Sequence, residues 1–118
     1  QEAPMSPVFE LTLKKEGITA TATLEDGDFV VHRGSLARSE YIGNSGQTYK
    51  KLYDKLNEQG VLKVHGDKKI FSQSYAFSST SAAGAVCKGR TTRGRINWRV
   101  KDTGQTYKDW EAASLEES

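Results

Sequence analysis

The stretch that decides the fold reads FSSTSAAGAVCKG over residues 77–89, RTTRG over 90–94 and RINWRVK over 95–101. Its serine cluster, followed by small residues, predicts a helix whose first N–H groups are capped by Ser79 or a neighbour. Gly89 is expected to end this helix, because glycine accepts the left-handed conformation just past a helix end. The inward stripe of the helix consists of small side chains, which predicts close approach of its backbone to a sheet: Ala82, Ala83, Val86 and Cys87.

Residues 95–101 follow a basic loop and alternate between apolar and polar side chains. Successive residues of a strand point to opposite faces, so the alternation predicts a strand with one apolar and one cationic face. The apolar face is predicted to contain Ile96, Trp98 and Val100. The cationic face is predicted to contain Arg95, Asn97, Arg99 and Lys101.

The upstream chain predicts an antiparallel meander followed by a helix. Alternation of apolar and polar residues, interrupted by turn signals, predicts strands over 8–14, 18–24 and 28–33. The Gly- and Ser-rich segment 34–46 is expected to form a loop. Helical spacing of apolar side chains predicts helices over 48–59 and 106–115. The segment 61–71 is ambiguous, with a short strand at 61–64 as one interpretation.

These elements together predict an α+β fold, with a twisted, mainly antiparallel sheet and two or three helices packed on one face. A single domain is expected over residues 8–115, because 118 residues suffice for a core without metal or disulfide support. Residues 1–7 are expected to be either a linker between domains of a longer protein or a remnant of the expression procedure. Residues 116–118 are expected to be a tail. The predicted core comprises Phe9, Leu11, Ile18, Phe29, Val31, Leu52, Leu56, Phe77, Val86, Ile96, Trp98 and Trp110.

The composition is typical of a globular domain, with 36% hydrophobic and 27% charged residues. No apolar run approaches the roughly 20 residues of a membrane span, and no secretory signal pattern is present, so no membrane partner is expected. The single cysteine, Cys87, cannot form an internal disulfide and is expected to be a buried thiol. A cytoplasmic location is the expectation that fits this cysteine usage.

The net charge of +2 conceals an uneven distribution of charge. Eight Lys and Arg, and no Asp or Glu, lie between Lys68 and Lys101. The rest of the chain carries nine basic residues against 15 acidic ones, a balance of −6. A division this strong within one small domain indicates a polyanionic partner for the basic segment.

No set of residues in the sequence is typical of catalysis. His32, His65 and Cys87 lack the close pairing of ligands that zinc sites use. Cys87 has no base near it in the sequence and no helix-start position that would lower its pKa. The glycine-rich loop that binds phosphates in nucleotide hydrolases is also missing. We therefore expect a domain that is not an enzyme and that uses no metal and no cofactor.

Seven residues of the basic segment form the candidate nucleic-acid site. Arginine presents several donors in a fixed fork that suits phosphates and guanine edges, and asparagine can bind adenine. A solvated cationic face without a ligand is the alternative, but the acid-free run favours contact with nucleic acid. The candidate residues are Lys88, Arg90, Arg93, Arg95, Asn97, Arg99 and Lys101.

The chain resembles the family called domain of unknown function 4357 over residues 17–110. Its C-terminal half is also similar to the restriction-enzyme and adenine-methylase associated domain. The sequence departs from the first family at Thr80, where a proline is usual, and at Arg93-Gly94, where Asn-Gly is usual. The residues that carry the resemblance are 77–90, Gly94, Trp98 and Gly104, together with 29–38 and 57–62.

The resemblance implies an accessory module that handles DNA. Members of the family commonly lie C-terminal to GIY-YIG nuclease domains or in restriction–modification proteins. This implies a non-catalytic domain that contacts DNA, including DNA with modified bases, and has an N-terminal catalytic domain of the same protein as a second partner. A protein-interaction or structural domain that docks a catalytic domain is the alternative function.

Overall fold

The computed structural model describes residues 6–43 and 47–117. The strands in these ranges are β1 (Phe9–Leu13), β2 (Ile18–Glu25), β3 (Asp28–Val31), β4 (Leu36–Ala37), β5 (Leu62–His65), β6 (Lys68–Phe71), β7 (Tyr75–Phe77) and β8 (Arg99–Val100). The helices are α1 (Gln47–Glu58), α2 (Thr80–Lys88), α3 (Gly94–Asn97) and α4 (Tyr107–Glu117). Parts of the predicted linker (1–5), loop (44–46) and tail (118) lie outside the described residues.

The larger sheet has five antiparallel strands in the order β7-β3-β2-β1-β8. It is built on the predicted meander. The two residues between β2 and β3, Asp26 and Gly27, both have positive φ, 53° and 87°, as a two-residue hairpin turn requires. Phe9 pairs with Ala22 across the first hairpin, and Leu24 pairs with Phe29 across the second. This register places the apolar side chains of the meander on one face.

A second sheet has three antiparallel strands in the order β4-β6-β5. It shares the core of the larger sheet, because the ring of Phe71 on β6 contacts that of Phe77 on β7, with centroids 6.3 Å apart. The α+β class is confirmed, but the prediction of one sheet was wrong. Strands β4 and β7 have only two and three residues, too few for alternation to indicate them.

The three predicted helices, α1, α2 and α4, begin and end within about two residues of their predicted positions, whereas α3 was not predicted. Helix α2 packs on the apolar face of the larger sheet, and α1 packs on α2 and β5. The Ser79 hydroxyl accepts a hydrogen bond from Ala82 N at 3.1 Å, and Gly89, with φ of 72°, ends α2. Nearly all of α2 is buried, because its small side chains permit close packing on β3 and β7. None of the helices in the described ranges has the length and apolar character needed to cross a membrane.

Trp98 occupies the centre of the core and is fully buried. Its Nε1 donates a hydrogen bond to the Thr80 carbonyl at 3.1 Å, and its ring packs against that of Phe29 in a T-shaped arrangement, with centroids 4.9 Å apart. Eight further predicted core residues are buried, while Leu52 and Trp110 are partly buried against the same core. Thr80 is the first residue of α2, a position at which proline is also well accommodated.

The predicted strand over 95–101 is wrong in its first half. Gly94–Asn97 form one helical turn, in which Trp98 N donates to Gly94 O at 3.0 Å, and only Arg99–Val100 pair as β8. A Cβ on Gly94 would lie 2.3 Å from the carbonyl carbon and oxygen of Thr80, so the chain passes directly against the start of α2 and turns there. As a result Ile96, predicted for the core, is 38% exposed.

Candidate nucleic-acid interface

The seven predicted site residues do not share one strand face. Lys88 and Arg90 lie at the C-terminal end of α2, Arg93 and Arg95 lie at the start of α3, and the rest lie between α3 and the edge of the larger sheet. The prediction of one cationic strand face was therefore wrong. The prediction failed because the chain forms a helical turn at Gly94, which separates Arg95 from the strand that contains Arg99.

Lys88 has a structural role at the junction of α2 and α3. Its Nζ donates to Thr92 Oγ1 and Asn97 Oδ1 at 3.2 Å each. Partial burial lowers the pKa of Lys88, and the nearby positive charges of Arg90 and Arg38 lower it further. Arg38 in turn donates from Nε to the Lys88 carbonyl at 2.6 Å, so its guanidinium binds the carbonyl end of α2, where a positive charge is favourable.

Asn97 is held by the same cluster. Its Oδ1 accepts hydrogen bonds from both Lys88 and Thr92, which fixes the orientation of the amide. Bidentate binding of adenine needs this oxygen together with the amide nitrogen, and the oxygen is already engaged. Asn97 can therefore contact a base only through the N–H groups of Nδ2, which can donate into the groove that Asn97 lines.

A groove of about 450 Å³ lies between α3 and the edge of the larger sheet, and we call it the sheet-edge groove. Glu10 of β1 pairs with Arg99 of β8, so their side chains share the outer face of the sheet, while Val100 points inward. Arg99 Nη1 donates to the Gly104 carbonyl at 2.8 Å, which holds the guanidinium in place. The groove is lined by Glu10, Thr12, Lys14, Ile96, Asn97, Arg99, Val100, Lys101 and Gly104.

A smaller depression of about 230 Å³ lies on the other side of Ile96, and we call it the helix hollow. One of its cations, Arg95, forms an exposed ion pair with Glu111 of α4, at 2.8 Å between Nη2 and Oε1. Because Ile96 lines both depressions, they adjoin across its exposed side chain. The helix hollow is lined by Ser81, Arg93, Gly94, Arg95, Ile96 and Lys108.

Six exposed cations line the two depressions, and together with Ile96 we call them the cationic surface. Four of them were predicted, but Lys14 and Lys108 were not, because each lies in a segment that also contains acidic residues. Only the pairing of β1 with β8 and the packing of α4 on α3 bring them to this surface. Its cations are Lys14, Arg93, Arg95, Arg99, Lys101 and Lys108.

Two of the residues considered for chemistry in the sequence, Cys87 and His32, lie in structural settings. Burial raises the pKa of the Cys87 thiol to about 12, so the thiolate nucleophile is strongly disfavoured. The His32 ring lies within hydrogen-bond distance, 3.1 Å, of the hydroxyls of Thr21 and Thr23 on the neighbouring strand. Among the described residues, no group of three or more His, Cys, Asp or Glu could hold a metal ion.

Residues 11–111 match the family described as Domain of unknown function (DUF4357). The chain belongs to this family. No curated protein and no solved structure shows significant similarity to the chain. The residues by which this DUF4357 domain resembles its family have structural roles here: Gly94 permits contact between α3 and α2, and Trp98 fills the core.

Proposed function

We propose that this DUF4357 domain is a non-catalytic module that binds DNA through the cationic surface. The observation that carries the proposal is the grouping of six exposed Lys and Arg side chains around two adjoining depressions. Only one acidic side chain, Glu10, lines either depression among the described residues, and only Arg95 of the six forms an ion pair there. A surface with this excess of donors attracts phosphate groups.

The rigidity of α3 supports the same proposal. Gly94 lies against the backbone of α2, and Trp98, just past the end of α3, is hydrogen-bonded within the core. The intervening Arg95 is therefore presented from a fixed backbone, and Arg99 is held by the Gly104 carbonyl. Donors that are fixed before binding lose less conformational entropy on contact with a ligand.

We further propose that the domain serves a nuclease or a restriction–modification system. This part rests on the resemblance of the C-terminal half to the restriction-enzyme and adenine-methylase associated domain, and on the usual setting of the family beside GIY-YIG nuclease domains. In such a protein the catalytic domain cuts or modifies the DNA, and the cationic surface contributes affinity. DNA with modified bases is included among the proposed ligands.

A salt titration of duplex binding tests the proposal. Each phosphate neutralised contributes about −0.9 to the slope of log K against log salt concentration, so three to five contacts give roughly −3 to −5. Arg95→Ala combined with Arg99→Ala removes one cation from each depression and should make the slope shallower by about two. Both side chains are exposed, so this double variant should fold.

The matched control is Lys51→Ala combined with Lys55→Ala, which removes two exposed cations of α1 that line neither depression. The control should retain the parent's slope. An unchanged slope in the folded Arg95/Arg99 variant would exclude the cationic surface. No duplex binding by the parent at about 50 mM salt, where phosphate contacts are strong, would contradict DNA binding and favour the protein-docking alternative.

A further inference from the structure

We propose that the sheet-edge groove holds a single unpaired base of the bound nucleic acid. This inference rests on the proposed function and adds the class of ligand that the groove recognises. A surface that binds only phosphates needs cations and no cavity. The sheet-edge groove adds to its cations a carboxylate, an amide, a hydroxyl and an apolar wall.

The size of the groove fits one planar group of small-molecule dimensions. Its volume of about 450 Å³ lies near the lower end of the range of ligand pockets, about 300–1,000 Å³. Ile96 provides an exposed apolar side chain in the lining, and a base taken out of a helix is held against apolar or aromatic side chains. A base within a duplex cannot enter a groove of this kind, so the ligand is an unpaired base.

The polar groups in the groove match the edge of a base. Glu10 forms no ion pair among the described residues, so its carboxylate is available to accept hydrogen bonds from an exocyclic amino group. Asn97 offers Nδ2 donors, because its oxygen is engaged by Lys88 and Thr92. A carboxylate acceptor and an amide donor in one groove are complementary to bases that carry an amino group beside a ring acceptor.

The surroundings of the groove fit the rest of a nucleotide chain. Lys14, Arg99 and Lys101 lie in the groove lining and can neutralise the phosphates beside the unpaired base. Ile96 lies between the groove and the cationic helix hollow, where it can fill the gap that an extruded base leaves in a stack. The helical turn at Gly94 leaves Ile96 38% exposed, so its side chain is accessible for this role.

The test compares two fluorescently labelled duplexes that share one strand: in the first this strand is fully paired, and in the second the complementary strand lacks the partner of one central cytosine or adenine, which is left unpaired. The readout is the ratio of the two dissociation constants at low salt, which cancels the contribution of phosphates common to both. We expect the parent to prefer the duplex with the unpaired base by roughly tenfold, the scale of one good base contact.

Two variants test whether the preference for the duplex with the unpaired base comes from the sheet-edge groove. Glu10→Ala removes the acceptor, and Ile96→Ala removes the apolar wall, and each should bring the ratio close to one. The matched controls are Glu58→Ala on α1 and Val64→Ala on β5, which line neither depression and are exposed. Both controls should keep the parent's ratio. Thermal unfolding of all four variants establishes that they are folded.

The outcomes distinguish this inference from the proposed function. Tight, salt-dependent binding of both duplexes with a ratio of one would overturn the base-binding groove and leave DNA binding intact. A preference that persists in folded Glu10→Ala and Ile96→Ala would also overturn it, because the unpaired base would then be held elsewhere. Failure of the parent to bind either duplex would contradict both proposals.

Discussion

Gly94 is a residue at which the addition of a single methyl group is expected to destabilise the fold strongly. A methyl group there would lie 2.3 Å from the carbonyl carbon and oxygen of Thr80 and 2.4 Å from Ser81 N, and none of these backbone atoms can move without shifting α2. Gly94→Ala should lower the free energy of unfolding by about 2–3 kcal/mol or more, measured by urea titration. Gly104→Ala, at a positive φ with open space around it, is the control and should cost roughly 1 kcal/mol. Equal costs would contradict the close contact of α3 with α2.

Cys87 makes stability depend on pH in the alkaline range. Its pKa is raised by burial from an ordinary 9.0 to about 12, so the unfolded chain releases this proton above pH 9 while the folded chain keeps it up to about pH 12. The folded state binds more protons in this window, and stability therefore falls as pH rises. Burial also raises the pKa of Tyr53 to about 12, which acts in the same direction above pH 10.

Cys87→Ala should therefore make the alkaline decline shallower, by up to about 1.4 kcal/mol per pH unit between pH 9 and 12. The measurement is the urea midpoint as a function of pH. Val86→Ala, a neighbouring core truncation without a titratable group, should lower stability by an amount that does not change with pH. A Cys87→Ala curve parallel to that of the parent would show that the thiol ionises equally in both states.

At the scale of the element, α2 depends on its first cap. Ser79 Oγ accepts the hydrogen bond of Ala82 N, which has no carbonyl partner within the helix. Ser79→Ala should cost about 1 kcal/mol of stability, measured by chemical denaturation followed by circular dichroism. Ser78→Ala is the matched control, because Ser78 is exposed and precedes the cap, and it should change stability by less than about 0.5 kcal/mol. A similar loss in both variants would show that the cap does not determine the stability of α2.

Elements with local signals were predictable, and those that depend on distant contacts were not. The meander, α1, α2 and α4 carry periodicity, caps or turn residues in their own sequences. The α3 turn has no such signal, since residues 96, 98 and 100 alternate like a strand. Its helical form follows from the contact of Gly94 with Thr80, fourteen residues away in the chain.

The candidate site was predictable only where its cations lie close together in the sequence. Arg93, Arg95, Arg99 and Lys101 lie in the acid-free segment and reach the cationic surface. Lys14, Lys108 and Glu10 come from segments remote in sequence, and strand pairing and helix packing bring them there. The division of the surface into two depressions could not be predicted, because it depends on where α3 turns.

At the scale of the whole molecule, the two sheets should unfold together. They share one core through the contact of Phe71 with Phe77, and both rings are buried. Phe71→Leu in the smaller sheet and Phe9→Leu in the larger should each lower stability by roughly 0.5–3 kcal/mol in a single transition. The measurement follows urea unfolding by circular dichroism and by tryptophan fluorescence. Midpoints that differ between the two probes in Phe71→Leu would show that the smaller sheet unfolds separately.

The anchoring of α3 separates the residues that build this turn from those that face a ligand. Gly94 lies against the α2 backbone at one end and Trp98 lies in the core at the other, while Arg95 and Ile96 between them are exposed. Substitutions at these two positions should therefore disturb the scaffold less than substitutions at Gly94 or Trp98. A library that varies Arg95 and Ile96 could then select new recognition preferences in a domain that still folds.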